Sequence, residues 1–205
     1  MEPGTKSWVR VSDEIVQALE HHGCFVAEHE GFPRELRDAI FGVAKELFDL
    51  PHETKVRNPN SAHSNGYIAK VPRTALLEGL NIDGAEKLDA CENFMTLMWP
   101  SRNARFCKTA HSYARAMAEL EKVVTRMVFE GYGAGEYCDT HAESTTYFLR
   151  FLKYKKPGEN EGDTFPPAHT DKTFLSILYQ NNVRGLECWE SSTDSRKITQ
   201  TNDPH

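Results

Sequence analysis

Residues 147–180 restrict what this chain can fold into more than any other stretch. From 147 to 154 aromatic or aliphatic side chains alternate with basic ones, the period of a strand with one buried face. The loop that follows carries Pro157, Gly158, Gly162, Pro166 and Pro167, which cannot continue a ladder. His169 and Asp171 come next, with one residue between them, and an apolar run leads on to Gln180. At the start of an extended segment, residues two apart point to the same face, so this imidazole and carboxylate can converge on one point. A neutral imidazole and a carboxylate suit Fe(II), and two His and one carboxylate on one face leave three coordination positions open. HxD by itself is a frequent chance pairing, so the surrounding residues must carry the reading.

Length and charge bound the rest. A chain of 205 residues, 39% of them hydrophobic, can bury a core as one domain. A net charge of -6 without clustered Lys and Arg excludes a phosphate-backbone partner, so no nucleic acid is expected. Cys24, Cys91, Cys107, Cys138 and Cys188 are odd in number and scattered, with no CxxC pair, which fits reduced thiols in the cytoplasm and neither a disulfide framework nor a zinc site. The opening MEPGTKSWVRV lacks a signal-peptide core and no segment approaches a membrane span, so a cytoplasmic monomer with no membrane association is expected.

Taken in order, Ser12 is a good N-cap, with Asp13 and Glu14 in a first turn, Ile15, Val16 and Leu19 as the apolar stripe, and Gly23 as the stop. Residues 24–27 are short and apolar, a buried strand. Pro33 opens a second helix whose Leu36, Ile40, Val43, Ala44 and Leu47 recur at helical spacing, Pro51 ends it, and a turn of helix is expected to about Arg57. Residues 58–65 are turn-rich. Residues 92–99 alternate loosely and read as a strand closed by Pro100. The longest helix runs to Glu130, with Ala110, Tyr113, Ala114, Met117, Leu120, Val124, Met127 and Val128 on one face and Gly131 and Gly133 past its end. Its Met residues are core. His21, His22, His29, His52, His63, His111 and His141 lack ligand spacing and default to exposed or capping roles. No internal repeat or linker is apparent.

The stretch LRFLKY (149–154), Pro166-Pro167, AHTDK (168–172) and LSILYQ (175–180), followed by NNVRGLE (181–187), resembles the plant soluble 2-oxoglutarate- and Fe(II)-dependent dioxygenases. Within them the HTDK and ILYQN wording is similar to the branch that includes glucosinolate side-chain and auxin-oxidising enzymes. The resemblance implies an α+β, mostly β fold, with an incomplete double-stranded β-helix (jelly-roll) core and N-terminal helices packed against it. Helices are expected near 13–22, 34–49 and 110–130, and strands near 24–27, 92–99, 147–154, 174–180 and 185–190. Residues 1–140 form an N-terminal helical region with flanking strands, 141–190 the first part of the jelly roll, and 191–205 a polar, disordered tail.

The same resemblance makes His169 and Asp171 metal ligands and lets Tyr154 donate its hydroxyl to the 2-oxoglutarate carboxylate, although a strand Tyr in the core reads equally well. Tyr67, in Gly66-Tyr67-Ile68, corresponds to a segment at the mouth of the substrate pocket, with packing on the core as the alternative. Lys172 faces an anionic substrate or is simply solvated. The implied activity is oxidation of a small-molecule metabolite, by hydroxylation or desaturation, with 2-oxoglutarate and O2 yielding succinate and CO2 and with ascorbate as reductant. The distal His and the Arg-x-Ser pair of these enzymes have no counterpart here. His205 lies 34 residues past Asp171, without the Gly and Arg-Val context of the distal ligand. The expectation is therefore a C-terminally truncated relative of little activity. Its alternative is a non-catalytic fragment that binds metal weakly or acts through a partner.

Overall fold

A computed structural model describes residues 2–28, 32–61, 64–68, 77–156, 169, 171–183 and 185. Among the described residues, six α-helices and two strands follow in the order α1 (Lys6–His22), α2 (Arg34–Phe48), α3 (His52–Lys55), β1 (Leu77–Asp83), α4 (Leu88–Met98), α5 (Ala104–Gly131), α6 (Cys138–Ser144) and β2 (Phe148–Tyr154), with a 3-10 turn at Gly135–Tyr137 before α6. The chain divides into two units, one of Gly31–Ala118 with Thr146–His169, the other of Met1–Glu30, Glu119–Thr145 and Thr170–His205.

The first unit is built on an antiparallel pair. β1 and β2 run in a register that sets Glu78 opposite Lys153, Leu80 opposite Phe151 and Ile82 opposite Leu149 on one face, and Leu77 opposite Tyr154, Gly79 opposite Leu152 and Asn81 opposite Arg150 on the other. Leu80, Ile82 and Phe151 are buried against Val43 and Leu47 of α2, Phe94, Met95 and Met98 of α4, and Phe106 and Ala110 of α5. The Phe106 ring is the hub, with centroids 5.6 Å from Phe94, 4.7 Å from Trp99 and 5.9 Å from Phe151. Each such aromatic pair contributes about 0.5–1.5 kcal/mol beyond its burial.

The edge of β1 away from β2 meets the loop before it. Asn58 holds both backbone groups of Asn81 with its amide, Nδ2 donating to the carbonyl and Oδ1 accepting from the N–H, each at 3.1 Å. The Asn81 side chain donates to the Asn65 carbonyl and accepts from Arg150 Nε at 2.9 Å. Ile68 then bridges to Gly79, so β1 is paired on both sides. The loop doubles back so tightly that a Cβ on Gly66 would lie 2.2 Å from the Pro59 carbonyl oxygen and 2.3 Å from that of Asn58. Both obstacles are backbone, so Gly66→Ala should lower the unfolding free energy by about 1–3 kcal/mol, the usual cost of forced overpacking, measured by urea denaturation.

In the second unit, Trp8 and Ile15 of α1 and Val124, Met127 and Val128 of α5 form a small core, with Val11, Leu19, Phe25, Leu120 and Leu175 packed against it. Trp8 Nε1 donates to Glu130 Oε2 at 2.7 Å, which satisfies a buried indole donor.

The apolar periodicity of α2 and α5 is borne out, as are the one-turn helix α3, the strand β2 and the stop at Gly23, whose φ of 70° is the left-handed conformation open to glycine. Four expectations are corrected. The first helix starts seven residues before 13: Thr5 is its N-cap, accepting from the Trp8 N–H at 3.3 Å, while Ser12 is buried inside the helix and donates to the Trp8 carbonyl at 2.9 Å. Residues 92–98 belong to α4 and not to a strand, because Cys91, Phe94, Met95 and Met98 bury one helical stripe, and Trp99 is the extended residue that caps it. Residues 24–27 make no strand: Phe25 reaches the small core but Val26 is exposed, so the segment has no fully buried position to fill. Residues 174–180 make no strand among the described residues; Ser176 Oγ there bonds to Asp171 Oδ2 and lies 2.7 Å from Thr173 Oγ1. The strand expected at 185–190 lies, apart from Gly185, outside the described residues, as does the tail 191–205.

Candidate functional site

β2 delivers Tyr154 as its last residue, opposite Leu77. Strand parity places Tyr154 with Leu152 and Arg150 on the face away from Phe151, and the ring is half exposed. Burial of the remaining half raises the phenol above its ordinary pKa, partly countered by the Arg150 charge.

Tyr67 occupies a different setting. Its hydroxyl donates to Glu78 Oε1 at 2.8 Å, its ring packs edge-on to His52 with centroids 5.6 Å apart, and it is partly buried against the main core. Glu78 also pairs with Lys55 Nζ at 2.5 Å, and that ammonium donates to the Phe48 carbonyl at 2.8 Å. Burial alone would raise Glu78, but hydrogen bonds from Lys55 and Tyr67 overcome it and hold the carboxyl below its ordinary range. The same burial, with the neighbouring carboxylate, raises Tyr67. Glu78 and Tyr154 sit at positions of opposite parity in the paired strands, so the sheet does not bring the two tyrosines to one face.

His169 is exposed in the first unit, and Asp171 is exposed in the second. Ser176 Oγ donates to Asp171 Oδ2 at 2.8 Å and lies 2.7 Å from Thr173 Oγ1, so a hydroxyl pair orients one carboxylate oxygen. Lys172 is exposed. Among the described residues no group of three His, Cys, Asp or Glu is assembled to hold a metal. The donor chemistry of His169 and Asp171 still matches Fe(II): one neutral nitrogen and one anionic oxygen. Two features escape a reading of spacing alone. Ser176, five residues after Asp171, belongs to no fixed-spacing motif, and its bond to the carboxylate appears only in the folded chain. His141, packed against two phenylalanine rings, gives no signal in the sequence either.

Comparison with known proteins defines the class. A solved 2-oxoglutarate binary complex of dioxygenase for auxin oxidation 1 from Arabidopsis thaliana superposes with a TM-score of 0.85 and 27% identity, covering 96% of this chain and 73% of that one. Over this span the chain shares the fold of a 2-oxoglutarate-binding dioxygenase. Residues 3–111 match the family described as non-haem dioxygenase in morphine synthesis N-terminal, and the chain belongs to it. The probable 2-oxoglutarate-dependent dioxygenase AOP1 of Arabidopsis thaliana is 34% identical over 91% of this chain and 62% of its own length. The 2-oxoglutarate-dependent dioxygenase AOP2 of the same plant is 33% identical over 91% of this chain and 42% of its own length. The chain thus spans less than two thirds of these curated relatives.

Proposed function

We propose that this chain carries part of the active site of a non-haem Fe(II)- and 2-oxoglutarate-dependent dioxygenase that oxidises a small-molecule metabolite. The observation that carries the reading is the likeness, across nearly the whole chain, to a dioxygenase solved with 2-oxoglutarate. In this reading residues 1–140 are the N-terminal helical region and 141–190 begin a double-stranded β-helix. His169 and Asp171 hold the iron, Tyr154 donates to the 2-oxoglutarate carboxylate, and Tyr67 and Lys172 border the substrate. The solvent-facing side of β2 leaves the Tyr154 phenol accessible, and a phenol is a protonated donor at neutral pH. Lys172, exposed beside Asp171, has the charge to attract an anionic substrate. Tyr67 would contribute its ring, since its hydroxyl is engaged by Glu78.

Bound iron supplies the redox chemistry that couples decarboxylation of 2-oxoglutarate to oxidation of the substrate, and ascorbate would keep it reduced. The protein works as a monomer in the cytoplasm with no nucleic-acid partner. Supporting features are the acidic balance and the free thiols of Cys91, Cys107 and Cys138. The test is an anaerobic Fe(II) titration of residues 1–205 with and without 2-oxoglutarate, followed by admission of O2 and a succinate assay with ascorbate present. Weak Fe(II) binding that tightens with 2-oxoglutarate is expected, with little succinate formed, because two ligands give less affinity and selectivity than three. Failure to bind Fe(II) under either condition would reject the reading.

A further inference from the structure

His141, in α6, packs against two aromatic rings that also touch each other, so the three form a triangle. The His141 centroid is 5.2 Å from Phe129 of α5 and 4.5 Å from Phe174, and the two phenylalanines are themselves 5.8 Å apart. Its Nε2 is buried without a hydrogen-bond partner among the described residues, so tilted ring contacts rather than a polar bond at that atom hold the ring there. Phe174 is 55% exposed, and a half-exposed ring keeps one position only if a neighbour holds it.

What Phe174 fixes lies in the residues around it. The next residue, Leu175, packs into the small core, and the one after it, Ser176, donates to Asp171 Oδ2 at 2.8 Å. Leu175 anchors the segment at one side chain, which restrains its position but leaves rotation about that anchor. Phe174, in contact with both His141 and Phe129, supplies a second point, and two points set the direction in which the Ser176 hydroxyl faces Asp171.

We propose that His141 is a positioning residue for Asp171: by holding Phe174 against Phe129, it fixes the turn of residues 171–176 in which Ser176 orients the carboxylate for a divalent cation. This rests on the reading of Asp171 as a metal ligand. A group that orients a ligand acts on metal affinity as a hydrogen-bonding outer partner does, through the geometry presented to the cation. His141→Phe retains a ring of similar size and removes the unpartnered nitrogen, so it should preserve the device, whereas His141→Ala should break it.

The experiment uses residues 1–205 with fluorophenylalanine placed at 174, observed by fluorine NMR without metal, together with anaerobic Fe(II) titration. In the parent chain the fluorine resonance should be displaced from that of the free amino acid by the ring currents of His141 and Phe129. His141→Ala should move it toward the free value and weaken Fe(II) binding by roughly 10–100-fold, as loss of an outer partner does. His141→Phe should restore both, and Phe174→Ala should weaken Fe(II) binding as His141→Ala does, with thermal unfolding recorded for each variant. An unmoved resonance in His141→Ala overturns the clamp. A moved resonance with Fe(II) affinity unchanged overturns the positioning role, provided Asp171→Ala abolishes binding in the same assay. Equal Fe(II) binding by the parent and Asp171→Ala instead sinks the reading of Asp171 as a ligand.

Discussion

Lys55→Ala should lower the free energy of unfolding by about 3–5 kcal/mol, the cost of leaving one member of a buried ion pair without the other. The Lys55 and Glu78 side chains are 8% and 13% exposed, so neither charge is relieved by solvent when its partner is removed. Tyr67 would remain as the donor to Glu78, but a neutral hydroxyl does not offset a buried carboxylate as an ammonium does. The double variant Lys55→Met, Glu78→Gln should recover most of the loss, because it removes both charges and keeps an acceptor for Tyr67. Urea denaturation of the parent, Lys55→Met, Glu78→Gln and their double variant gives the coupling energy, and a loss below about 1 kcal/mol in Lys55→Ala would mean the pair behaves like an exposed one.

The pH dependence supplies a second reading of the same pair. Glu78 sits below its ordinary value of 4.5 in the folded chain, so its contribution is present above that value and is lost as the pH falls through the depressed one. Without Lys55 the largest remaining influence on Glu78 is burial, which raises it. The folded chain then takes up the proton more readily than the unfolded one, and protonating Glu78 stabilises the variant. Between about pH 6 and 3 the contribution of this group should therefore change sign between parent and variant, and parallel pH profiles would refute the account.

How far the sequence could be read depended on whether packing followed periodicity. In α5 all eight residues assigned to one face are buried or packed, because a long amphipathic helix leaves one way to hide its stripe. In α4 the stripe of Cys91, Phe94, Met95 and Met98 was present in the sequence, but Thr96 and Leu97 between its members give a short window a strand-like alternation. β1 escaped notice for another reason: LEGLNID contains three polar residues, Glu78, Asn81 and Asp83, that look exposed and are in fact satisfied by Lys55, Tyr67, Asn58, Arg150 and Ser64. Partners so distant in sequence cannot be inferred from local pattern. The donor types of the candidate metal site were legible as a motif, whereas the Ser176 hydroxyl and the His141 ring beside the Asp171 segment are tertiary facts.

Asp171→Asn should abolish Fe(II) binding while leaving its turn intact. Asparagine keeps an oxygen that can accept from Ser176, whose Oγ lies 2.8 Å from the aspartate oxygen, so the local fold should survive. It removes the anionic donor, and with it the charge neutralisation that a hard divalent cation draws from a carboxylate. The loss should therefore exceed the ~10–100-fold seen when an outer partner is removed. His169→Ala should match it, since a neutral imidazole cannot be replaced by methyl, and the double variant should lose no more than either single one because each alone already eliminates the site. Anaerobic Fe(II) titration measures all three, with the fluorine resonance at position 174 as the structural control. Parent-like Fe(II) affinity in both single variants would place the iron elsewhere in the chain. Lost binding with a displaced resonance in Asp171→Asn would mean that the carboxylate acts by holding the turn, so ligation and architecture at Asp171 separate in one measurement.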